Sequence, residues 1–76
     1  MYEGLIAVHP NVCHGKPCIK GTRILVSSIL SQLAAGYDFE KIKAGYPELR
    51  DEHIRAALEY ARAVVENEDV YLVAAG

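Results

Sequence analysis

Gly15-Lys16-Pro17-Cys18-Ile19-Lys20-Gly21-Thr22-Arg23-Ile24-Leu25-Val26 is a short β-type segment, punctuated by two glycines, that feeds directly into an amphipathic helical pattern. Pro17-Cys18-Ile19 and Arg23-Ile24-Leu25-Val26 read as strands, with Gly21-Thr22 as the bend between them. Upstream, Leu5-Ile6-Ala7-Val8 reads as another short strand. His9-Pro10-Asn11 stops it, because proline fixes φ and asparagine tolerates turn geometry. Strands this short do not stand alone in water. The arm is therefore expected to pair with a strand of a second copy or to pack on helices, with Leu5, Ile6, Ala7 and Val8 as the expected dimer contacts.

The pattern beyond the arm is helical. A first helix is predicted from Ser27 or Ser28 to Ala35, with Ser27 as its cap and Ile29, Leu30 and Leu33 on one face. Gly36 supplies the left-handed position that ends it. Asp38 caps a second, short helix through Phe39, Ile42 and Lys43, and Gly45-Tyr46-Pro47 closes that one. A third helix is predicted from Asp51 or Glu52 to Val65, with the apolar stripe Ile54, Ala57, Leu58, Ala61 and Val65. Its opposite face, Arg55, Glu59, Arg62 and Glu66, alternates in charge and reads as solvated. Val70 to Val73 reads as a last short strand. The expectation is one mainly α domain over residues 1–76: a β arm (1–26), a three-helix helix-turn-helix core (27–65) and an acidic C-terminal tail (66–76).

Composition narrows the function classes. The 76 residues hold one domain, and a chain this size buries only roughly 60% of its unfolded surface. A partner subunit is the expected staple, which predicts a homodimer. Met1-Tyr2-Glu3-Gly4 carries no basic region of a signal peptide and no run approaches the length of a membrane span, so a cytoplasmic setting with no membrane partner is expected. The formal net charge is −2, with no Lys/Arg run. Residues 1–36 nevertheless carry three basic side chains against one acidic, whereas residues 37–76 carry five against nine. Any anion-binding surface must be local and exclude the tail.

His9, Cys13, His14 and Cys18 are ligand types that suit zinc, but their spacing matches no C-x₂-C or H-x₃-H pattern. They read as loop residues, and neither a metal, a structural disulfide nor a cofactor is expected. No third group orients a Cys-His nucleophilic pair, so no catalytic residue is assigned and no enzyme is expected.

The string Gly15 to Leu30, then Leu33-Ala34-Ala35-Gly36, then an Asp-capped helix ending Gly45-Tyr46-Pro47, then Leu49 and a helix containing Ile54-Arg55-Ala56-Ala57-Leu58-Glu59-Tyr60-Ala61, resembles the bacterial domain-of-unknown-function family four-three-three. Members are often described as VapB-type antitoxins, and the resemblance covers roughly residues 5–65. It implies a three-helix, homeodomain-like bundle behind a β arm, commonly dimeric, with a PIN-like ribonuclease toxin encoded nearby. The chain departs from the family pattern where the last helix begins. Arg50 and His53 stand where a capping box is usual, and Asp51 is expected to take over as cap. The stretch beyond Val65 is short, which narrows the implied toxin-binding segment to Val70, Tyr71, Leu72 and Val73.

Two functions follow as expectations. In the first, the protein is a dimeric DNA-binding antitoxin or autoregulator of a type II toxin-antitoxin module, with the third helix in the major groove. Lys41, Lys43, Arg50, Lys16, Lys20 and Arg23 would contact phosphates of promoter DNA, and His53, Arg55 and Ala56 would face base edges. In the second, the domain binds protein only, as a nuclease inhibitor.

Overall fold

The computed structural model describes residues 4–67, a mainly helical small domain of three helices and a short antiparallel hairpin. Strand β1 (Ile6–Ala7) pairs with β2 (Cys18–Ile19) in the register Ile6 to Ile19 and Ala7 to Cys18. Helices α1 (Val26–Ala34), α2 (Phe39–Gly45) and α3 (Asp51–Asn67) follow. The expected third strand is reduced to one bridge, Leu25 to Cys18, because the Val26 N–H donates to the Pro17 carbonyl (3.0 Å) and the chain turns helical there.

Thr22 makes the bend between Ile19 and Ile24. Its hydroxyl donates to the Ile19 carbonyl (2.8 Å) and accepts from the Ile24 N–H (3.0 Å). The Ile19 N–H in turn donates to the Ile24 carbonyl (2.9 Å). Gly21, at φ +83°, supplies the left-handed residue that this tight return requires. Between the strands, Cys13 (φ 52°) and His14 (φ 57°) are also left-handed, a rare conformation for residues with a side chain. The Gly15 N–H to Val12 carbonyl and Lys16 N–H to Cys13 carbonyl bonds, both 3.0 Å, hold that turn.

The helix ends are specified locally. Helix α1 starts earlier than expected: Leu25 is its N-cap and no side chain caps it, so Ser27 lies inside the first turn. At its C-terminus the Gly36 N–H donates to the Leu33 carbonyl and the Tyr37 N–H to the Gln32 carbonyl, both at 3.0 Å. With Gly36 at φ +97° this is the Schellman arrangement that the glycine predicts. Asp38 caps α2 as expected, accepting the Lys41 N–H at 2.9 Å. In α3 the expected cap, Asp51, is instead the first helical residue. The side chain that reaches back is His53, whose Nδ1 accepts the Arg50 N–H at 2.9 Å, the task usually done by Glu or Gln in a capping box.

Each helix contributes one isoleucine to the centre, Ile29, Ile42 and Ile54, and Ile19 enters from β2. Ile24, Val26, Leu49 and Ala57 complete the buried cluster, with Ile6, Leu30, Leu33, Phe39, Tyr46 and Tyr60 packed around it. The buried face of α3 differs from the expected stripe. Residues are about 100° apart on a helix, so Ile54, Ala57, Tyr60 and Ala56 share an arc of roughly 160°. Leu58 falls outside it and is 42% exposed; Val65 is 63% exposed.

Core and cap substitutions should separate cleanly in urea unfolding. Ile54→Ala is expected to cost about 2–5 kcal/mol, because the pocket among three helices cannot collapse fully. Asp38→Ala and His53→Ala should each cost about 1 kcal/mol, the usual worth of a helix-end hydrogen bond, and His53→Gln should recover most of it.

Candidate nucleic-acid interface

Between Glu3 and Asp38 the sequence contains no acidic residue, while Lys16, Lys20 and Arg23 all fall inside that stretch. The fold places all three on the surface of the arm: Lys16 after the left-handed turn, Lys20 at the tip beyond β2, Arg23 after the Thr22 bend. Lys16 and Arg23 share the wall of a cavity of about 490 Å³ with Pro10, Asn11, Cys13, His14 and Leu25. Lys20 is not part of that wall.

The second group sits where α2 meets α3. Arg50 and Arg55 are exposed at the head of α3, and Lys41 is exposed with its ammonium 4.4 Å from the centre of the Tyr37 ring. His53 is half-buried and engaged through Nδ1 in the cap. Two expected contacts need correction. Ala56 is only 3% exposed, because it lies on the buried arc of α3 about 100° round from Arg55, and it cannot face a base edge. Lys43 is drawn into two ion pairs, 2.7 Å from Asp51 Oδ1 and 3.1 Å from Glu40 Oε2, which answer its charge within the domain.

Sequence reasoning missed the Lys43 to Asp51 contact. The pair is separated by the Pro47 turn and follows no helical spacing, so only the packing of α2 on the start of α3 reveals it. Asp51 Oδ1 is shielded from water and has no hydrogen-bond partner apart from the Lys43 ammonium. That bond holds the Asp51 carboxyl below its ordinary value of 3.8, with the Lys43 and Arg55 charges helping against desolvation. Hydrogen bonds to Asp51, then Glu40, raise the Lys43 ammonium above its ordinary 10.5. The remaining outer face of α3 is mixed in sign: Arg62 pairs with Glu59 at 2.9 Å and Glu66 at 2.8 Å.

Cys13 and Cys18 are free thiols, Cys13 half-buried on the cavity wall and Cys18 1% exposed behind it. Burial pushes the Cys18 thiol up, reinforced by a hydrogen bond with Cys13 and opposed by the charge of Arg23. Among the described residues no three His, Cys, Asp or Glu side chains form a group that could hold a metal ion. Among them, too, no helix is long and apolar enough to cross a membrane.

The Asp51 and Lys43 shifts fix the sign of a pH dependence. The Asp51 contribution to stability is complete above its ordinary pKa and lost as pH falls through the lowered one. The Lys43 contribution is complete below 10.5 and lost as pH rises through the raised value. Urea midpoints should therefore show the pair contributing evenly between these limits and fading beyond both. Asp51→Asn should lower the plateau and flatten the acid limb; a variant whose acid limb matches the parent's would show that the pair contributes nothing.

Comparison with known proteins finds relatives of the same fold. The sequence pattern of the family described as "Protein of unknown function (DUF433)" matches residues 6–61. The uncharacterized protein y4eO of Sinorhizobium fredii (strain NBRC 101917 / NGR234) is 34% identical over 59 residues. That alignment takes in 78% of this chain but 27% of y4eO, so the chain spans about a quarter of that relative's length. The crystal structure of a DUF433 member from Anabaena variabilis ATCC 29413 superposes with a TM-score of 0.78 at 31% identity, covering 84% of this chain and 63% of that one. The match spans the arm and the three helices, and the chain belongs to the DUF433 family.

Proposed function

We propose that the protein is a DNA-binding antitoxin or autoregulator of a type II toxin-antitoxin module, with a homeodomain-like helix-turn-helix formed by α2, the turn 46–50 and α3. The observation that carries this reading is the pair of exposed arginines, Arg50 and Arg55, at the head of the longest helix, neither in a direct ion pair among the described residues, on the same molecule as the acid-free stretch 4–37. Arg55 reads a base edge. Arg50, Lys41, Lys16, Lys20 and Arg23 contact phosphates and set the register. Lys43 leaves that set because Glu40 and Asp51 already answer its charge.

Dimerisation through the arm belongs to the same proposal. Among the described residues β1 has a partner on one side only, Val8 is well exposed, and Leu5, Ile6 and Ala7 are half-buried. A second copy adding at that free edge would give the two-fold symmetry that paired DNA half-sites require. The implied partner is a PIN-like ribonuclease toxin. The segment proposed for it, Val70 to Val73, lies outside the described residues.

A second reading, a protein-only nuclease inhibitor, is favoured by one specific observation. Beyond the core, α3 carries Leu58, Val64 and Val65 exposed at 42%, 41% and 63%, and the acids Glu52 and Glu59 flank Arg55 on its outer face. Apolar side chains in such number on one surface helix suit a protein partner better than a phosphate backbone.

A salt titration against the protein's own promoter fragment separates the two. Arg55→Ala should cost about 1–3 kcal/mol of binding and relax specificity at one base pair. Arg50→Ala should weaken all sequences alike and reduce the salt slope by about one unit. Sedimentation at micromolar concentration should give twice the monomer mass. Absence of wild-type binding at low salt leaves the inhibitor as the better account.

A further inference from the structure

We propose that the arm cavity is a binding pocket for a nucleotide, holding its phosphate group by charge and the face of its base on apolar surface. The pocket is where the chain's acid-free stretch becomes concave: its walls hold Lys16, Arg23 and His14, and no carboxylate. On the helices two cations are answered by carboxylates, Lys43 by Glu40 and Asp51 and Arg62 by Glu59 and Glu66. Lys16 and Arg23 have no such partner among the described residues. Two cations on the wall of one concavity raise the local concentration of anions there.

The wall chemistry fits the two halves of a nucleotide. The guanidinium of Arg23 offers a planar fork matched to two phosphate oxygens, and the Lys16 ammonium adds a point charge. Pro10 and Leu25 present apolar surface for a sugar or base, and the exposed His14 ring can stack or donate. The volume, about 490 Å³, is that of a small-molecule pocket.

The pocket is also built in advance. Arg23 directly follows Thr22, whose hydroxyl is tied to both Ile19 and Ile24, so its backbone is fixed before any ligand arrives. On the other wall Cys13 and His14 are held left-handed, a costly conformation that persists only where the surroundings impose it. What remains to be ordered on binding is the two cationic side chains, not the backbone that carries them. None of this depends on α3 entering a DNA groove. The pocket takes phosphate with or without that reading, and the two fail separately.

Cys13 is a natural reporter, because it lines the pocket while Cys18 is sealed at 1% exposure. Alkylation of the native protein is followed by mass spectrometry of the Cys13 peptide, with iodoacetate and iodoacetamide in parallel. Their rate ratio isolates the reagent's charge, since any change in thiolate content affects both alike. Relative to the unfolded chain the ratio should favour iodoacetate, and it should fall several-fold in Lys16→Gln and Arg23→Gln. Adenosine 5′-monophosphate should slow both reagents saturably at millimolar concentration, inorganic phosphate less strongly, with loss of Arg23 weakening protection about tenfold. Arg23→Lys should restore the rate ratio but only part of the protection.

A blunt-ended oligonucleotide without terminal phosphates is the remaining arm. Protection by the monophosphate assigns the pocket to free nucleotides; protection by the oligonucleotide alone assigns it to backbone phosphate, and either result upholds the phosphate pocket. No protection by any of the three, or protection undiminished in Arg23→Gln at an unchanged urea midpoint, overturns it. Arg55→Ala should leave monophosphate protection intact, so a failure of DNA binding at α3 and a failure here cannot be confused.

Discussion

The meeting of Ile29, Ile42 and Ile54, one from each helix, with Ile19 of the arm is the constraint from which the rest of the structure follows. Burying such a side chain contributes about 1.5–3 kcal/mol, and a domain this small has few of them. Every element must therefore deliver its one isoleucine to the same point. Helix α2, at seven residues, is too short to be stable by itself, so it is held at both ends. Asp38 closes its start, and the Tyr46 N–H bond to the Ile42 carbonyl at 3.1 Å closes its end. Thr22 does the corresponding work in the arm: without its clamp, Ile19 and Ile24 would not both point inward from a four-residue return.

Because the centre has no room for polar groups, charge is sorted over the outside, and the sorting is uneven. No polar or charged side chain is buried among the described residues. On the helical side the acids outnumber the bases and answer two of them: Lys43 spans Glu40 and Asp51, and Arg62 spans Glu59 and Glu66. The Lys43 to Asp51 contact has a structural result as well, since it ties α2 to the first turn of α3. Asp51 bonds Lys43 directly and feels Arg55 only at longer range, so Arg50 and Arg55 are left outside any direct ion pair among the described residues. Between residues 4 and 37 there is no acid to do the same. A net charge of −2 thus conceals two places, the arm and the head of α3, where positive charge stays available.

Most of the fold was legible in residues whose effect is local. Gly36 announced its left-handed turn, Asp38 its cap, Pro47 the end of α2, and Gly21-Thr22 the bend of the arm. Each acts within three or four residues of itself, and sequence records such distances faithfully. Features that depend on packing were not legible. The start of α1 is set by the bridge from Leu25 to Cys18 and the Val26 to Pro17 hydrogen bond, so the serine that looks like a cap is bypassed. Leu58 has the right spacing for the core stripe, yet the arc that contacts the other elements is rotated toward the smaller Ala56. His53 as a cap follows no common pattern, and neither does left-handed backbone at Cys13 and His14. The basic residues of the candidate site were all visible; which of them are neutralised was not.

The boundaries of the buried centre explain why this unit recurs in longer proteins. Every buried hydrophobic residue among those described lies between Cys18 and Ala57, and the family pattern spans 6–61. The segment that the family pattern matches thus contains that whole core, and the similarity takes in 63% of the Anabaena chain and 27% of y4eO. Helix α3 runs two turns past that boundary, and there its apolar side chains, Val64 and Val65, are left uncovered. Inside the boundary the sequence is answerable to one isoleucine centre and one bend. Beyond it nothing in the core depends on which side chain is chosen, so the end of α3 is where such a domain can acquire a protein partner without refolding, while the arm, locked by Thr22 into the core, cannot change its shape so freely.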